Sequence, residues 1–285
     1  MKRALFLLTL LIFALTAGCK QKQPPSPPQP VKIVATPAYE KYFGPAPVTD
    51  KGSCFAFVIF FPSAKEPGKV VPFPFFTFDE ASLRKVAVER LLSGMEIGSY
   101  KGEFLQPFPK GTRIASIAES QGMVTLTLSK EFDPAVKDKG ADYAARAIIL
   151  TLRQFKGVSG VRIQMEGVEK PLDVQADEGV ILQPAPPRLL SVIAMRDKGK
   201  SDVEEVDAFF DRPVDVKEFR MTDKDGNPFA GETYHSVFDM AAVLKPKDAA
   251  RFKAGMPVKV RWKVADRLGR EAEGDNVWLL EVKEH

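Results

Sequence analysis

The spacing of hydrophobic and polar positions divides the chain into a mixed first part and an all-strand second part. In the first part, apolar runs of strand length alternate with segments whose apolar residues recur at helical spacing. The predicted elements are strands at 55–61, 70–78, 113–118, 123–128 and 161–165, and helices at 83–91 and 144–155. This order of elements predicts an α+β domain over residues 54–175.

Proline, glycine and aspartate residues refine these elements. Asp79 is predicted to cap the first helix and Gly94 to end it. Pro72 and Pro74 each lack a backbone donor, so they place the strand at 70–78 at the edge of its sheet.

The second part follows Pro184–Pro187 and shows strand patterns only. Residues 258–264 alternate strictly between apolar and charged side chains, which is typical of a strand with one buried face. Further strands are predicted at 188–195, 206–210, 216–221, 234–240 and 277–282, with a helical turn within 245–253. Several short strands separated by turn residues predict a β-sandwich over residues 188–285.

The first residues have the pattern of an export signal. Lys2 and Arg3 precede an uncharged apolar run, 4–15, which is shorter than the roughly 20 residues of a membrane-spanning helix but has the length of a signal-peptide core. The small residues Thr-Ala-Gly then precede Cys19, which resembles the lipobox of bacterial lipoproteins. That resemblance implies a signal peptide over residues 1–18 and lipid attachment at Cys19, the alternative being an ordinary secretory signal.

Residues 19–50 are predicted to form a tether. They contain five prolines within 24–30, a composition that favours extended polyproline geometry and offers little hydrophobic core. A spacer between anchor and domains is the favoured interpretation, and a proline-rich ligand for a partner is the alternative.

Composition excludes several classes of protein. With two Cys and two His, the chain can build neither a disulfide scaffold nor a multi-cysteine metal centre. A formal charge of +4 does not favour nucleic-acid binding. Cys54 precedes an apolar run and is expected to be a buried thiol.

Two acidic segments were weighed as sites. An EF-hand loop starting at Asp223 would need Gly and Glu where the chain has Pro228 and Tyr234, so a hairpin turn explains that segment better than calcium. Carboxylates at Asp133 and Asp142 are interspersed with lysines, as in a solvated loop, although a catalytic carboxylate pair is the alternative. We therefore expect no metal, no cofactor and no enzymatic activity.

Short motifs in the first domain occur in a recognisable order. They are Leu91-Leu92-Ser93-Gly94, Pro109-Lys110-Gly111-Thr112, Gly122–Leu126, Leu128–Phe132, Thr151-Leu152-Arg153-Gln154-Phe155, Gly157–Val161 and Glu166-Gly167. Together they resemble the GerMN domain of sporulation and spore-germination lipoproteins, which also occurs in envelope proteins of bacteria that do not sporulate. The resemblance implies a small α+β fold akin to ring-building modules of secretion-like complexes. It also implies a non-enzymatic role in envelope assembly or signalling.

The second domain carries motifs of its own. Phe210–Asp215, Ala265–Gly269 and Trp278 resemble bacterial immunoglobulin-like domains of the extracytoplasmic kind. The resemblance implies that the predicted sandwich has an immunoglobulin-like fold.

Phenylalanine is concentrated in one place, because residues 55–78 hold eight of the 21 in the chain. Core packing of two strands accounts for most of them. The alternative is that Phe73, Phe75, Phe76 and Phe78 lie on the proline-marked edge as a contact surface for a protein or for lipid.

These features favour a lipoprotein held on the extracytoplasmic side of a membrane and acting as a non-catalytic binding or scaffold module. The expected partners are the membrane, through lipidated Cys19, and an unidentified envelope protein. In a cell with two membranes, Lys20 after the cysteine favours the outer one. A peptidoglycan- or glycan-binding protein that supports a cell-wall amidase is the alternative, and an exposed Trp262 or Trp278 would favour it.

Overall fold

The computed structural model describes residues 31–49, 53–95, 97–132 and 140–284, which belong to one compact unit, Val31–His285. The strands are β1 Val31–Lys32, β2 Val34–Ala35, β3 Val48–Thr49, β4 Phe55–Pro62, β5 Val70–Thr77, β6 Ile114–Ser120, β7 Met123–Leu128, β8 Gly160–Met165, β9 Leu189–Arg196, β10 Glu205–Phe210, β11 Val214–Thr222, β12 Gly231–His235, β13 Ala241–Pro246, β14 Pro257–Asp266, β15 Glu271–Leu279 and β16 Glu281–Glu284. The helices are α1 Pro37–Phe43, α2 Leu83–Ser93 and α3 Gly140–Arg153, and short 3-10 turns lie at Gly98–Tyr100, Glu178–Val180, Val237–Asp239 and Ala249–Arg251.

Two three-stranded sheets and two helices form the first half. One sheet has the order β2-β4-β5 and the other β6-β7-β8. Helix α3 packs on β4 and β8, and α2 packs on α3 and β4, so one hydrophobic core lies between sheets and helices. This arrangement confirms the predicted α+β fold.

Helix α3 forms because its apolar residues follow the helical period. Ala144, Ala147, Ile148 and Leu152 recur at intervals of three and four, and all four have no exposed surface. Their small and branched side chains let the helix approach the strand face closely. The helix is thereby fixed against the fully buried centre of β4.

Helix α2 ends as predicted but begins later. Its N-cap is Ser82, and the Asp79 side chain instead accepts a hydrogen bond from the Ser82 backbone N–H at 3.1 Å. The prediction that Asp79 caps the helix is therefore wrong by three residues, since Asp79 stabilises the turn that leads into it. Gly94 ends the helix with a φ of 75°, and a Cβ there would collide with the Gln106 side chain.

The outer side of β4 is completed by side chains instead of a full neighbouring strand. Strand β2 pairs with β4 over only two residues, which leaves the backbone of Val58 and Phe60 unpaired on that side. The Gln154 amide accepts from Val58 N–H at 2.8 Å and donates to the Val58 carbonyl at 2.5 Å, and the Thr151 hydroxyl accepts from Phe60 N–H at 3.2 Å. The Thr-Leu-Arg-Gln-Phe motif thus has a physical role, because it satisfies buried backbone groups that no strand reaches.

Strand β5 lies at the edge of its sheet, as its prolines predict. It pairs with β4 along its whole length, and on its other side it makes only an isolated bridge between Val70 and Ile181. Pro72 and Pro74 remove backbone donors from this strand, which blocks pairing with another chain.

The second half is a sandwich of two sheets, as predicted. A five-stranded sheet has the order β12-β13-β10-β9-β16, and a three-stranded sheet has the order β11-β14-β15. Val258, Val260 and Val264 of β14 are completely buried between the sheets, and the Trp262 ring contacts Phe210 of the opposite sheet edge-on at 5.4 Å. The strict alternation within 258–264 therefore marks a strand with one buried face.

Three elements of the second half differ from the prediction. The segment 234–240 is the end of β12 and a 3-10 turn instead of one strand, and the segment 277–282 is divided between β15 and β16. The helical turn expected within 245–253 is reduced to Ala249–Arg251. The first segment is interrupted by the turn between β12 and β13, and the second by Leu280, where the chain passes from one sheet to the other.

The predicted tether is shorter than expected, because residues 31–49 are folded. Strands β1 and β3 pair with each other, and between them α1 places Tyr39, Tyr42 and Phe43 in the hydrophobic core. The prediction of one proline-rich tether over 19–50 therefore does not hold for residues 31–49. Their aromatic residues bury enough apolar surface to fix a helix of seven residues.

Among the described residues, no helix combines the length and apolar character that crossing a membrane requires.

Replacement of Gln154 tests the role of the Thr-Leu-Arg-Gln-Phe motif. Gln154→Glu keeps the size of the side chain but removes the donor to the Val58 carbonyl, so we expect the free energy of unfolding to fall by about 2 kcal/mol. Urea unfolding measures the change. Gln175→Glu is the matched control, because Gln175 is exposed, and it should change stability by no more than about 0.5 kcal/mol. Equal effects of the two variants would contradict the role of Gln154.

Candidate functional site

The aromatic edge that the sequence marks as a contact surface consists of Phe73, Phe75, Phe76 and Phe78 on and after β5. The first three are half-buried and pack against the core, whereas 53% of Phe78 is exposed. The Phe75 ring lies 5.4 Å from Phe57. Three of the four rings are therefore packed within the molecule. Of the four predicted contact residues, Phe78 is the one whose side chain is largely exposed.

The second half of the chain supplies part of this packing. Phe238, in the 3-10 turn between β12 and β13, stacks on Phe76 with ring centroids 4.7 Å apart and planes 3° from parallel. The same ring lies 5.7 Å from Phe78. The aromatic edge is thus one side of a junction between the two halves.

A buried ionic cluster forms the centre of this junction. Asp211 and Arg212 are 3% and 5% exposed, and two guanidinium nitrogens of Arg212 donate to the two Asp211 carboxylate oxygens at 2.9 and 2.8 Å. The Tyr100 hydroxyl of the first half also donates to Asp211, at 2.8 Å. Burial raises the pKa of Tyr100 far above its ordinary value, so the hydroxyl keeps the proton that it donates.

A second buried carboxylate extends the cluster to the N-terminal helix. Asp266 is 3% exposed and accepts from Arg212 at 3.5 Å and from Arg270 Nε at 2.6 Å. Arg270 then donates to the carbonyls of Tyr42 at the end of α1 and Pro184 between the halves, at 2.7 and 3.2 Å. The Arg212 guanidinium also lies 5.5 Å from the Phe43 ring. One cluster therefore joins α1, the linker and the sandwich.

The rim of the cluster is formed by Arg188, the first residue of the second domain as the sequence predicts it. Its guanidinium donates to the Glu103 carboxylate at 2.6 Å and to the Ser99 carbonyl at 2.9 Å, and it lies 4.7 Å from the Tyr100 ring. Hydrogen bonding to Arg188 lowers the pKa of Glu103, which keeps this carboxylate charged near neutral pH. A cavity of about 300 Å³ lies beside these groups.

The geometry of the ionic cluster suits a structural contact between the two halves and not a catalytic site. Both buried carboxylates are fully engaged by arginine and backbone donors, so neither is free to take a proton from a substrate. Within the described ranges, no group of three or more His, Cys, Asp or Glu side chains is arranged to hold a metal ion. The junction can fix the orientation of the two halves, and this is the property that a scaffold needs.

The other residues singled out from the sequence lie elsewhere. Cys19 and Asp133 lie outside the described residues, and Asp223 accepts from the backbone of Asp225 and Asn227 as a turn residue does. Trp262 is buried and Trp278 is half-buried, so neither tryptophan offers the exposed ring on which the glycan-binding alternative depended. That alternative gains no support here.

Several residues of the ionic cluster belong to sequence motifs that were noted for a different reason. Asp211 and Arg212 lie within the motif Phe210–Asp215, and Asp266 lies within Ala265–Gly269, the two segments that resemble immunoglobulin-like domains. Two Asp-Arg pairs next to buried strands are a signal for arginine–carboxylate pairing across the ends of the sheets. Tyr100 carried no such signal, because its partner lies 111 positions away.

Removing Arg212 tests the contribution of the cluster to stability. Arg212→Met leaves the buried Asp211 carboxylate without its bidentate arginine partner, so the free energy of unfolding should fall by about 3–5 kcal/mol. Arg261→Met is the control, since Arg261 pairs with Glu218 on the exposed face of the sandwich, and it should cost no more than about 1 kcal/mol. Chemical unfolding of both variants measures the change in the free energy of unfolding. A similar loss in the two variants would show that the buried pairs contribute little to stability.

The buried thiol gives a second prediction. Cys54 has no exposed surface, and burial raises the pKa of its thiol above the ordinary value. In a Cys19→Ser chain, alkylation of Cys54 should be slower in the native protein than in denaturant by on the order of 100-fold or more, because access needs local opening. Because the pKa is raised, the native rate should keep increasing as the pH rises past about 8.5. Rapid native alkylation that levels off near neutral pH would contradict this.

Comparison with known proteins assigns the first half. Residues 58–172 match the family model described as "Germane: Sporulation and spore germination". No curated protein matches the chain.

Solved structures give distant likenesses. The first GerMN domain of the sporulation protein GerM from Bacillus subtilis is 18% identical with a TM-score of 0.36, covering 44% of this chain and 98% of that one. The tandem GerMN domains of the same protein give 15% and 0.35, covering 62% of this chain and 58% of that one. CopC from Methylosinus trichosporium OB3b gives 14% and 0.23, covering 33% of this chain and 89% of that one.

The family model and the ordered motifs agree in position, since both span the sheets and helices that surround α3. Residues 58–172 therefore match the Germane family where the sequence motifs indicate a GerMN domain, and a two-sheet β-sandwich follows them.

Proposed function

We propose that this protein is a lipid-anchored scaffold of the bacterial envelope, held on the extracytoplasmic side of a membrane by Cys19. The observation that carries the proposal is the combination of a Germane domain at residues 58–172 with a lipobox-like Thr-Ala-Gly-Cys directly after an apolar run of signal-peptide length. Two acyl chains on one cysteine would provide stable attachment, because each buried CH₂ contributes about 0.8 kcal/mol.

The junction supports a scaffold role on physical grounds. A scaffold works by presenting binding surfaces at a fixed separation, which raises the local concentration of weakly bound partners. The bond from Tyr100 to Asp211 and the ion pair of Arg188 with Glu103 oppose bending between the Germane domain and the sandwich. An unidentified envelope protein is the expected partner, and the outer membrane is the expected site in a cell with two membranes.

Substitution of the anchoring cysteine tests the proposal. Cys19→Ser should move the protein from the membrane to the soluble extracytoplasmic fraction and abolish incorporation of labelled fatty acid. Crosslinks to envelope proteins in intact cells should decrease with it, because the local concentration at the membrane is lost.

Cys54→Ser provides the matched control, since it removes the other of the two cysteines and should leave the protein in the membrane. A Cys19→Ser protein that stays membrane-bound after a high-salt wash would refute the anchor.

A further inference from the structure

Exposed apolar side chains gather at one end of the sheet β2-β4-β5. Val34 at the start of β2 is 57% exposed and aligns with Phe55, which aligns with Thr77 at the end of β5. Phe78 follows directly and is 53% exposed. Neighbouring strands lie about 4.8 Å apart, so the exposed residues of β2 and β5 are within about 10–15 Å of each other.

The strained 3-10 turn Val237–Asp239 adds the Phe238 ring to this end of the sheet. Phe238 and Asp239 have φ values of 67° and 54°, a conformation that is unfavourable for residues with a side chain. The turn is held in place by an ion pair of 2.5 Å between Asp239 and Arg267 and by the stacking of Phe238 on Phe76. These contacts fix the half-buried Phe238 ring between Phe76 and Phe78.

Strand β3 completes the surface. It packs against the turn that carries Phe238, and its Val48 is 66% exposed. We call Val48, Phe78 and Phe238 the apolar end patch. Val48 and Phe78 are exposed and Phe238 is half-buried beside them, and apolar side chains that are exposed next to one another are typical of a contact site.

The path of the chain indicates what this patch faces. Val48 pairs with Lys32 in the β1–β3 ladder, so the chain enters the fold directly beside the patch. Only residues 20–30 separate Cys19 from Val31, and a chain of that length spans at most about 40 Å. An acylated Cys19 therefore keeps the patch within that distance of the bilayer.

We propose that the apolar end patch inserts into the interfacial layer of the membrane that holds the lipid anchor. The inference rests on the proposed attachment through Cys19, and it adds a second contact that sets the orientation of the molecule. Asp79 and Glu80 beside Phe78 are exposed and acidic, so a zwitterionic surface suits the patch better than an anionic one. The contact needs little intrinsic affinity, because the anchor makes it intramolecular.

A chemical anchor tests the patch whether or not cells acylate Cys19. The chain from Cys19 to His285, which contains the whole compact unit, is coupled through the Cys19 thiol to a maleimide bearing one acyl chain. A single chain gives only marginal, reversible binding, so an added contact is measurable. Partition onto phosphatidylcholine vesicles is then determined by flotation.

Phe78→Ser should lower the partition coefficient by about fivefold, as expected for losing the burial of a half-exposed aromatic side chain. Leu279→Ser is the matched control and should leave it unchanged. Leu279 is 71% exposed but pairs with Pro257, at the end of β14 opposite to Asp266 and Arg267. It therefore lies about 30 Å along β14 from Asp266, at the opposite end of that strand. Equal losses in the two variants would overturn the proposal.

A reporter placed in the patch gives an independent readout. Phe78→Trp and Leu279→Trp are each combined with Trp278→Phe, and the buried Trp262 serves as an internal reference. With vesicles of brominated phosphatidylcholine, the Phe78→Trp reporter should lose about half of its emission, because an interfacial side chain sits some 5–10 Å deep. The Leu279→Trp reporter should be unaffected.

Absence of quenching at Phe78→Trp would overturn the proposal, as would a blue shift that depends on protein concentration and not on lipid, since a second copy would then cover the patch. Acylation in cells is read separately by mass spectrometry of the natural protein. Failure of the anchor and failure of the patch are thus distinct results.

Discussion

Burying Asp211, Arg212 and Asp266 at one point imposes a strict geometric condition on the molecule. Removing each charge from water costs several kcal/mol, and only close, well-directed partners offset that cost. Those partners come from separate parts of the chain: a hydroxyl from the Germane domain at Tyr100, and arginines from the sandwich. If the two halves rotated against each other, the Asp211 carboxylate would lose the Tyr100 donor. The charges therefore contribute less to net stability than to the choice of a single relative orientation of the halves.

The same condition explains why residues 31–49 are ordered. The last turn of α1 presents the Tyr42 carbonyl to Arg270 and the Phe43 ring to Arg212, so the helix completes the environment that the arginines require. Gly44 follows with a φ of 78°, and a Cβ at this position would lie 2.9 Å from the Arg267 Cβ. Such close contact with the sandwich is open only to glycine. A short helix with little stability of its own is thus fixed by tertiary contacts on both sides.

Prediction from the sequence succeeded where local periodicity decides structure. The alternation at 258–264 and the helical spacing of Ala144, Ala147 and Ile148 each reflect one buried face, and both elements lie where the pattern places them. It failed for residues 31–49, because strands of two residues carry no measurable period. The ionic cluster was missed for a different reason: an Asp-Arg pair has the same composition in an exposed turn as in a buried junction. Only the tertiary fold, which brings Tyr100 to Asp211, separates these cases.

A rigid junction also determines whether a lipid anchor would restrict the orientation of the sandwich or only its distance from the membrane. If the halves moved independently, an anchor at Cys19 would restrict only the distance of the sandwich from the membrane. With the orientation of the halves fixed at Asp211 and Arg212, any contact between the Germane end and the bilayer also determines where the face of β14 points. That face carries exposed ion pairs, such as Lys259 with Asp275 at 3.2 Å, which are well solvated and contribute little to stability. Under the proposed attachment, their position relative to the membrane would be decided about 23 Å away along β14, at the end that holds Asp266.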